Sequence, residues 1–145
     1  MRVDQEAEEY VKEWLKNAKG YGDAEIEHGK GYDIRVPSKG LLVEVKASTK
    51  LKFRDFRPYL TLNELKNAAS MGEKFEIHIL LGMENGKPSK HYKIKGTEFF
   101  KYKKFIEEAE NFLEKWNKEL DKEGMLRAEL SVYLKREPKN EDPIL

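Results

Sequence analysis

The chain contains no cysteine, which removes a disulfide framework, a thiolate zinc site and a cysteine nucleophile from consideration. Glutamine occurs once, at Gln5. No apolar run approaches the length of a membrane span, and Met1-Arg2-Val3-Asp4-Gln5 lacks the apolar stretch of a signal peptide. A soluble cytoplasmic protein without membrane contact is the expectation. Excess charge of one sign is missing too, since Lys and Arg number 28 and Asp and Glu 27. A near-neutral chain does not coat nucleic acid through bulk charge, so any such binding has to use local patches. Charged residues nonetheless make up 38% of the 145 positions, mostly Lys and Glu. With so few thermolabile side chains, this composition resembles that of hyperthermophile proteins rich in ion pairs.

That length fits one domain with one real core. The periodicity predicts a helix from Asp4 to about Lys19, ending at Gly20, with Ala7, Val11, Trp14, Leu15 and Ala18 inward. Glu8 flanks that apolar face and is the helix acid best placed to look into the protein. A weak strand is expected over Ala24–His28. Two better strands follow, Tyr32–Val36 and Leu41–Val45, joined by the Pro37-Ser38-Lys39-Gly40 turn. Residues 47–59 read as irregular structure. Thr61 to Glu64 matches a capping box and opens a helix to about Ser70, with Leu62, Leu65, Ala68 and Ala69 inward.

Phe75–Leu81 reads as a strand, Asn85-Gly86 as a hairpin turn and Lys90–Lys95 as the returning strand. A long helix is expected from Thr97 to about Glu123. Its apolar stripe is Phe99, Tyr102, Phe105, Ile106, Ala109, Phe112, Leu113, Trp116 and Leu120. A last strand is predicted over Leu126–Leu134. The result is an α/β fold, a central mixed sheet flanked by helices. We expect a single domain over 1–137, with a core at about 4–82 and a strand–long helix–strand extension at about 83–137. Residues 138–145 form a polar, flexible tail.

Strand alternation puts Leu41, Val43 and Val45 on one face and Glu44 with Lys46 on the other. If the two strands pair with their apolar faces together, Asp33 emerges beside Glu44 and Lys46. Two carboxylates and an amine at a sheet edge suit a hard cation and an activated water. Glu-x-Lys alone is ordinary on a solvated sheet face. Here the setting, Leu41-Leu42-Val43-Glu44-Val45-Lys46-Ala47, is that of a buried strand, and buried charge needs partners.

Gly31-Tyr32-Asp33-Ile34 followed by Val43-Glu44-Val45-Lys46-Ala47-Ser48 resembles the signature of the PD-(D/E)xK nuclease superfamily. The expected order of helix, three strands, helix and strand up to Leu81 is similar to the core of that restriction endonuclease-like fold. Together with Leu60-Thr61-Leu62-Asn63-Glu64-Leu65, the chain looks most like the Mrr-like branch that includes the NO VEIN C-terminal-type domain. The resemblance covers roughly the first 82 residues. Tyr32 stands in place of the proline for which the superfamily is named, and the acid beside it is kept.

The resemblance implies that Asp33 and Glu44 bind Mg²⁺, or Mn²⁺ in its place, together with the main-chain carbonyl of Val45. Lys46 would orient and help deprotonate the attacking water and stabilise charge on the phosphate. Glu8 would match the acid of the first helix that assists metal or water positioning. The implied activity is hydrolysis of phosphodiester bonds in nucleic acid, DNA first. The alternative is a nucleic-acid-binding or assembly module on the same fold, without turnover.

Lys50, Lys52, Arg54 and Arg57 alternate with Phe53, Phe56 and Tyr59 directly after the Glu-x-Lys strand. They read either as phosphate contacts with Phe53 or Phe56 free to stack on bases, or as a solvated loop whose aromatics enter the core. The lysines between Lys87 and Lys104 read as a solvated face and edge protection. His28, His78 and His91 fall on different elements without ligand spacing, which gives zinc little support. Asn63 and Glu64 could assist at the site, but the capping box already explains Glu64; Ser48 could touch a phosphate, but a turn explains it more simply. A homodimer or a place in a larger complex is expected, with the long helix a candidate interface.

Overall fold

The computed structural model describes residues 2–122, 131–134 and 138. The first helix, α1 (Val3–Ala18), buries Ala7, Glu8, Tyr10, Val11, Trp14 and Leu15. That stripe covers one face of a five-stranded sheet. The strands are β1 (Glu25–Ile26), β2 (Ile34–Val36), β3 (Leu41–Ala47), β5 (Phe75–Leu81) and β6 (Lys90–Lys95), lying side by side in that order. Ile34, Val36, Leu41, Val43, Leu80 and Met83 meet α1 in one apolar cluster.

β2 and β3 form the antiparallel hairpin read from the sequence, with Ile34 opposite Val43 and Val36 opposite Leu41. Its connection is one turn of 3-10 helix, Pro37–Lys39. β3 then pairs in parallel with β5, Glu44 lying opposite Ile77 and Lys46 opposite Ile79. Parallel neighbours need a crossover. Here it comprises the short helix α2 (Phe53–Phe56), the strand β4 (Tyr59–Thr61) and the helix α3 (Leu62–Met71). β6 returns antiparallel to β5 through Asn85 and Gly86, both at positive φ, as a type I′ hairpin requires.

α3 covers the opposite face of the sheet. Leu62, Leu65, Ala68 and Ala69 pack with Phe75, Ile77, Ile79 and Leu81. With helices on both faces, β5 is buried at nearly every position, which explains its Ile-rich composition. The order of helix, three strands, helix and strand expected for the core is present, with α2 and β4 inserted before α3.

Three expectations change. The long helix α4 (Lys103–Lys122) begins six residues later than Thr97, because Gly96–Tyr102 winds as 3-10 helix. That tighter turn stacks residues three apart, and Phe99 lies 6.2 Å from Tyr102 between ring centroids. Gly96 sits so close to α3 that a Cβ there would fall 2.3 Å from the carbonyl oxygen of Ala68. Second, only part of the predicted stripe turns inward: Phe99 of the 3-10 segment and Ile106 and Ala109 of α4 are buried, while Phe105, Phe112 and Trp116 face solvent. Third, residues 47–59 are not wholly irregular, since Phe53–Phe56 makes a turn of helix and Tyr59 enters a strand.

Of the last predicted strand, Ser131–Tyr133 (β7) is described. It pairs with β4 in a separate two-stranded sheet rather than joining the central one. Residues 123–130, 135–137 and 139–145 lie outside the described residues, and so does most of the expected tail. No helix among the described residues is long and apolar enough to cross a membrane.

Candidate functional site

The site forms at the start of β2, where β3 stays paired with β5 on one edge and leaves the β2 ladder on the other. The β2 ladder stops at Ile34 opposite Val43, so the next edge N–H of β3, that of Val45, lacks a strand partner on this side. Asp33 supplies one: its Oδ2 accepts from Val45 N–H at 2.9 Å. The N–H and C=O of one strand residue leave by the same edge, so the Val45 carbonyl also faces the Asp33 side.

The approach to Asp33 is fixed by α3. Asn67 Nδ2 donates to the carbonyls of Lys30 and Gly31 at 3.3 and 3.2 Å. Gly31 has φ +80°, and a Cβ there would fall 2.4 Å from Asn67 Nδ2 and 2.5 Å from Asn63 Nδ2. The positive φ favours glycine, and a Cβ would push the two amide side chains aside.

Glu44 and Lys46 share the face of β3 opposite α1, as alternation requires. Glu44 is 4% exposed, and Lys46 Nζ lies 3.3 Å from its Oε1. The same ammonium donates to Glu64 Oε1 at 3.1 Å. Glu64 in turn accepts from Thr61 N–H at 2.9 Å and closes the capping box at the start of α3. Tyr59 packs its ring under the ammonium, 5.2 Å from centroid to Nζ. Asp33, Glu44 and Lys46 therefore meet as the alternation predicts.

Glu8 joins the group from α1. It is buried, and His28 Nε2 lies 3.1 and 2.9 Å from its two carboxylate oxygens. One ligand atom each of Glu8, His28 and Asp33 lie within 4.8 Å of one another, close enough to hold a cation.

Carboxylates outnumber ammonium groups here, and protonation responds. Glu44 is pushed up to about 10, first by burial and then by Asp33. Glu8 rises to about 7 for the same two reasons, opposed by His28. Burial also raises Asp33, against the Val45 N–H bond that favours its charged form. Burial disfavours charge on Lys46, but Glu44 and Glu64 outweigh it and hold the ammonium above its usual range. Glu64 stays below the usual carboxylate range: burial pushes it up, and its bonds with Glu44, Thr61 and Lys46 more than compensate.

The basic segment meets its two readings halfway. Lys50, Lys52, Arg54 and Arg57 are exposed, and no ion pair involves them among the described residues. Phe53 is buried in the core and Phe56 packs against it, so neither is free to stack on a base. The exposed ring is that of Tyr59.

Glu64, which the sequence offers as a helper at the site but explains by its cap, joins the cluster together with His28 and the ring of Tyr59, which the sequence did not place there. For Glu64 a signal existed. A helix in a parallel crossover starts at the carboxyl end of the preceding strand, which brings the N3 residue of α3 to Lys46. No comparable local pattern marks His28, which reaches Glu8 from a turn 20 positions away.

A family described as Protein NO VEIN, C-terminal matches residues 3–94. The match runs from the first residue of α1 into β6 and contains Glu8, His28, Asp33, Glu44, Lys46 and Glu64, while α4 lies outside it. No curated protein and no solved structure matches the chain. The match spans more than half of the 145 residues, and on it the chain belongs to the Protein NO VEIN, C-terminal family.

Proposed function

We propose that this chain is a divalent-cation-dependent nuclease that hydrolyses phosphodiester bonds of nucleic acid, with DNA the favoured substrate. The observation that carries the reading is the convergence of buried Glu44 with Asp33, Lys46 and Glu64 at one strand edge. The family match and the likeness to PD-(D/E)xK enzymes at Asp33, Glu44 and Lys46 support it.

The donor set fits Mg²⁺. Asp33 and Glu44 offer carboxylate oxygens, Val45 a carbonyl on the same edge, and the excess of acids leaves negative charge to be neutralised. Mn²⁺ fits the same oxygens and gains a nitrogen donor in His28 next to Glu8. When bound, the cation supplies Lewis acidity and charge neutralisation at the phosphate.

The chain's own groups do the rest. Asp33 and Glu44 would hold the cation beside the strand edge. Lys46, kept as an ammonium by Glu44 and Glu64, donates hydrogen bonds to the attacking water and to phosphate oxygen. In that state it does not take the water's proton, and Glu64, an ionised carboxylate in contact with it, would accept that proton. Glu8 orients water or a second cation from the α1 side. Lys50, Lys52, Arg54 and Arg57 meet flanking phosphates.

The test is cleavage of labelled single-stranded, duplex and branched DNA with Mg²⁺ or Mn²⁺, in wild type, Asp33→Ala and Lys46→Ala. Wild type is expected to cut and both variants to lose the activity. Cutting that persists in both would overturn the assignment. Binding without cutting in any protein would favour a non-catalytic nucleic-acid module.

A further inference from the structure

Two aromatic rings at the rim of the site remain outside the core. Tyr59 in β4 lies directly opposite Tyr133 in β7, their ring centroids 5.8 Å apart and the planes tilted by 59°. Leu60 is buried and Leu134 packs against the same core. Alternation therefore turns the two tyrosines outward, and they are 46% and 58% exposed. Tyrosine carries a large apolar face, and two such faces left side by side in water are a surface in want of a partner.

The surroundings say what kind of partner. The Lys46 ammonium lies 5.2 Å from the Tyr59 centroid, so this ring borders the candidate catalytic group. Arg57, two residues before Tyr59, is exposed, as are Lys50, Lys52 and Arg54 earlier in the same connection. Lys46 is paired with Glu44 and Glu64, but Lys50, Lys52, Arg54 and Arg57 make no ion pair among the described residues. Rings beside such cations match a strand with planar bases and an anionic backbone.

We propose that Tyr59 and Tyr133 form a stacking platform for unpaired nucleobases, so that the site takes a single-stranded or locally melted strand rather than intact duplex. In a duplex each base face is covered by its neighbours, and only an unpaired base can lie on a tyrosine. The tilt between the rings lets them hold successive bases splayed apart instead of stacked on one another. Because Tyr59 adjoins Lys46, the base it holds would neighbour the phosphate that Lys46 meets. That last step rests on the nuclease reading, while the stacking itself does not.

The test is fluorescence anisotropy of a labelled short oligonucleotide in EDTA, where no cleavage occurs. It is offered as single-stranded DNA, single-stranded RNA and blunt duplex DNA of one sequence. Wild type is expected to bind single strands about tenfold more tightly than duplex. Tyr59→Leu and Tyr133→Leu should each weaken single-strand binding by about tenfold, the typical effect of losing one stacked base. Tyr59→Phe, which keeps the ring, should stay within about twofold of wild type. The DNA and RNA arms tell which sugar the platform tolerates. Equal affinity for duplex and single strand in wild type overturns the proposal, and so do leucine variants that bind like the phenylalanine variant. Cleavage that survives both Asp33→Ala and Lys46→Ala would remove the nuclease reading and leave this result untouched, since binding is measured without metal.

Discussion

Val45 donates its backbone N–H to Asp33 Oδ2 at 2.9 Å, which ties the acid ahead of β2 to the strand that carries Glu44 and Lys46. An asparagine can still accept that bond but brings no charge, whereas an alanine leaves the N–H without its partner. Asp33→Asn is expected to fold with nearly wild-type stability while losing cleavage by about a hundredfold or more. Asp33→Ala should lose the same activity and also about 1–3 kcal/mol of stability. Thermal melts beside a cleavage assay separate the two effects, and an asparagine variant that cuts at the wild-type rate contradicts the role of the charge.

Glu44 gives a stability prediction of the opposite sign. Its carboxyl is pushed up to about 10 in the folded chain, against a usual value of 4.5. Across that interval the folded state holds a proton that the unfolded state has released. Stability contributed by this group is thus complete below about pH 4.5 and falls as pH rises, by up to about 1.4 kcal/mol per pH unit. Glu44→Gln, measured in chelator, should be more stable than wild type, by a margin that widens from about pH 5 to 9. It should also be inactive. Denaturant melts with a constant difference across that range would refute the burial of an ionising acid here.

His28 and Glu8 make a prediction about the cation. Nitrogen donors favour Mn²⁺ and its later neighbours over Mg²⁺, and His28 Nε2 is the one nitrogen in the Glu8–His28–Asp33 group. His28→Ala is expected to weaken Mn²⁺ binding by about tenfold or more, the scale of losing one metal contact, and to leave Mg²⁺-supported cleavage within a small factor of wild type. Titration calorimetry with each ion reads this directly. Unchanged binding of both ions would place His28 outside the cation site, and equal loss for both would rule out a nitrogen contact selective for Mn²⁺.

A second pH effect comes from the sheet face under α1. His78 Nδ1 and His91 Nε2 approach to 2.6 Å, and His78 Nε2 lies 2.9 Å from Glu76 Oε1. Trp14 and Tyr10 set ring edges against this pair. Burial, with His78 and Lys93 nearby, pushes His91 down to about 3 from 6.5. Between those values the unfolded chain binds a proton that the folded chain refuses, so stability from a neutral His91 is present above about pH 6.5 and is lost on acidification. His91→Gln should differ from wild type by an amount that shrinks as pH falls towards about 4. Urea melts of the two proteins at matched pH cancel the opposing contributions of Glu8 and Glu44. A pH-independent difference would count against a neutral buried His91.

Much of this architecture is legible in residue order, and the exceptions have a common cause. The 31–46 hairpin follows from alternation and from Pro37 and Gly40, and Thr61 with Glu64 marks the start of α3 by local chemistry alone. These features need only neighbours a few positions away. The onset of α4 at Lys103 does not, because Gly96 is wound tightly by the approach of Ala68 from another element. Phe53 enters the core for the same kind of reason, although its sequence neighbours are charged. His28 meets Glu8 only once α1 packs beside β1, Tyr59 meets Lys46 only within the β3–β5 crossover, and Tyr133 reaches Tyr59 only when β7 returns to β4. Contacts of this type are set by topology, and a linear pattern holds no trace of them.

Glu64 Oε1 accepts from Thr61 N–H and from Lys46 Nζ at once. One oxygen thus belongs both to a helix cap and to the candidate catalytic cluster, and electron density drawn towards one donor is withdrawn from the other. The Thr61 amide resonance becomes a native reporter. Without any label in the site, its chemical shift should move when a cation, a proton or a phosphate displaces Lys46 from Glu64.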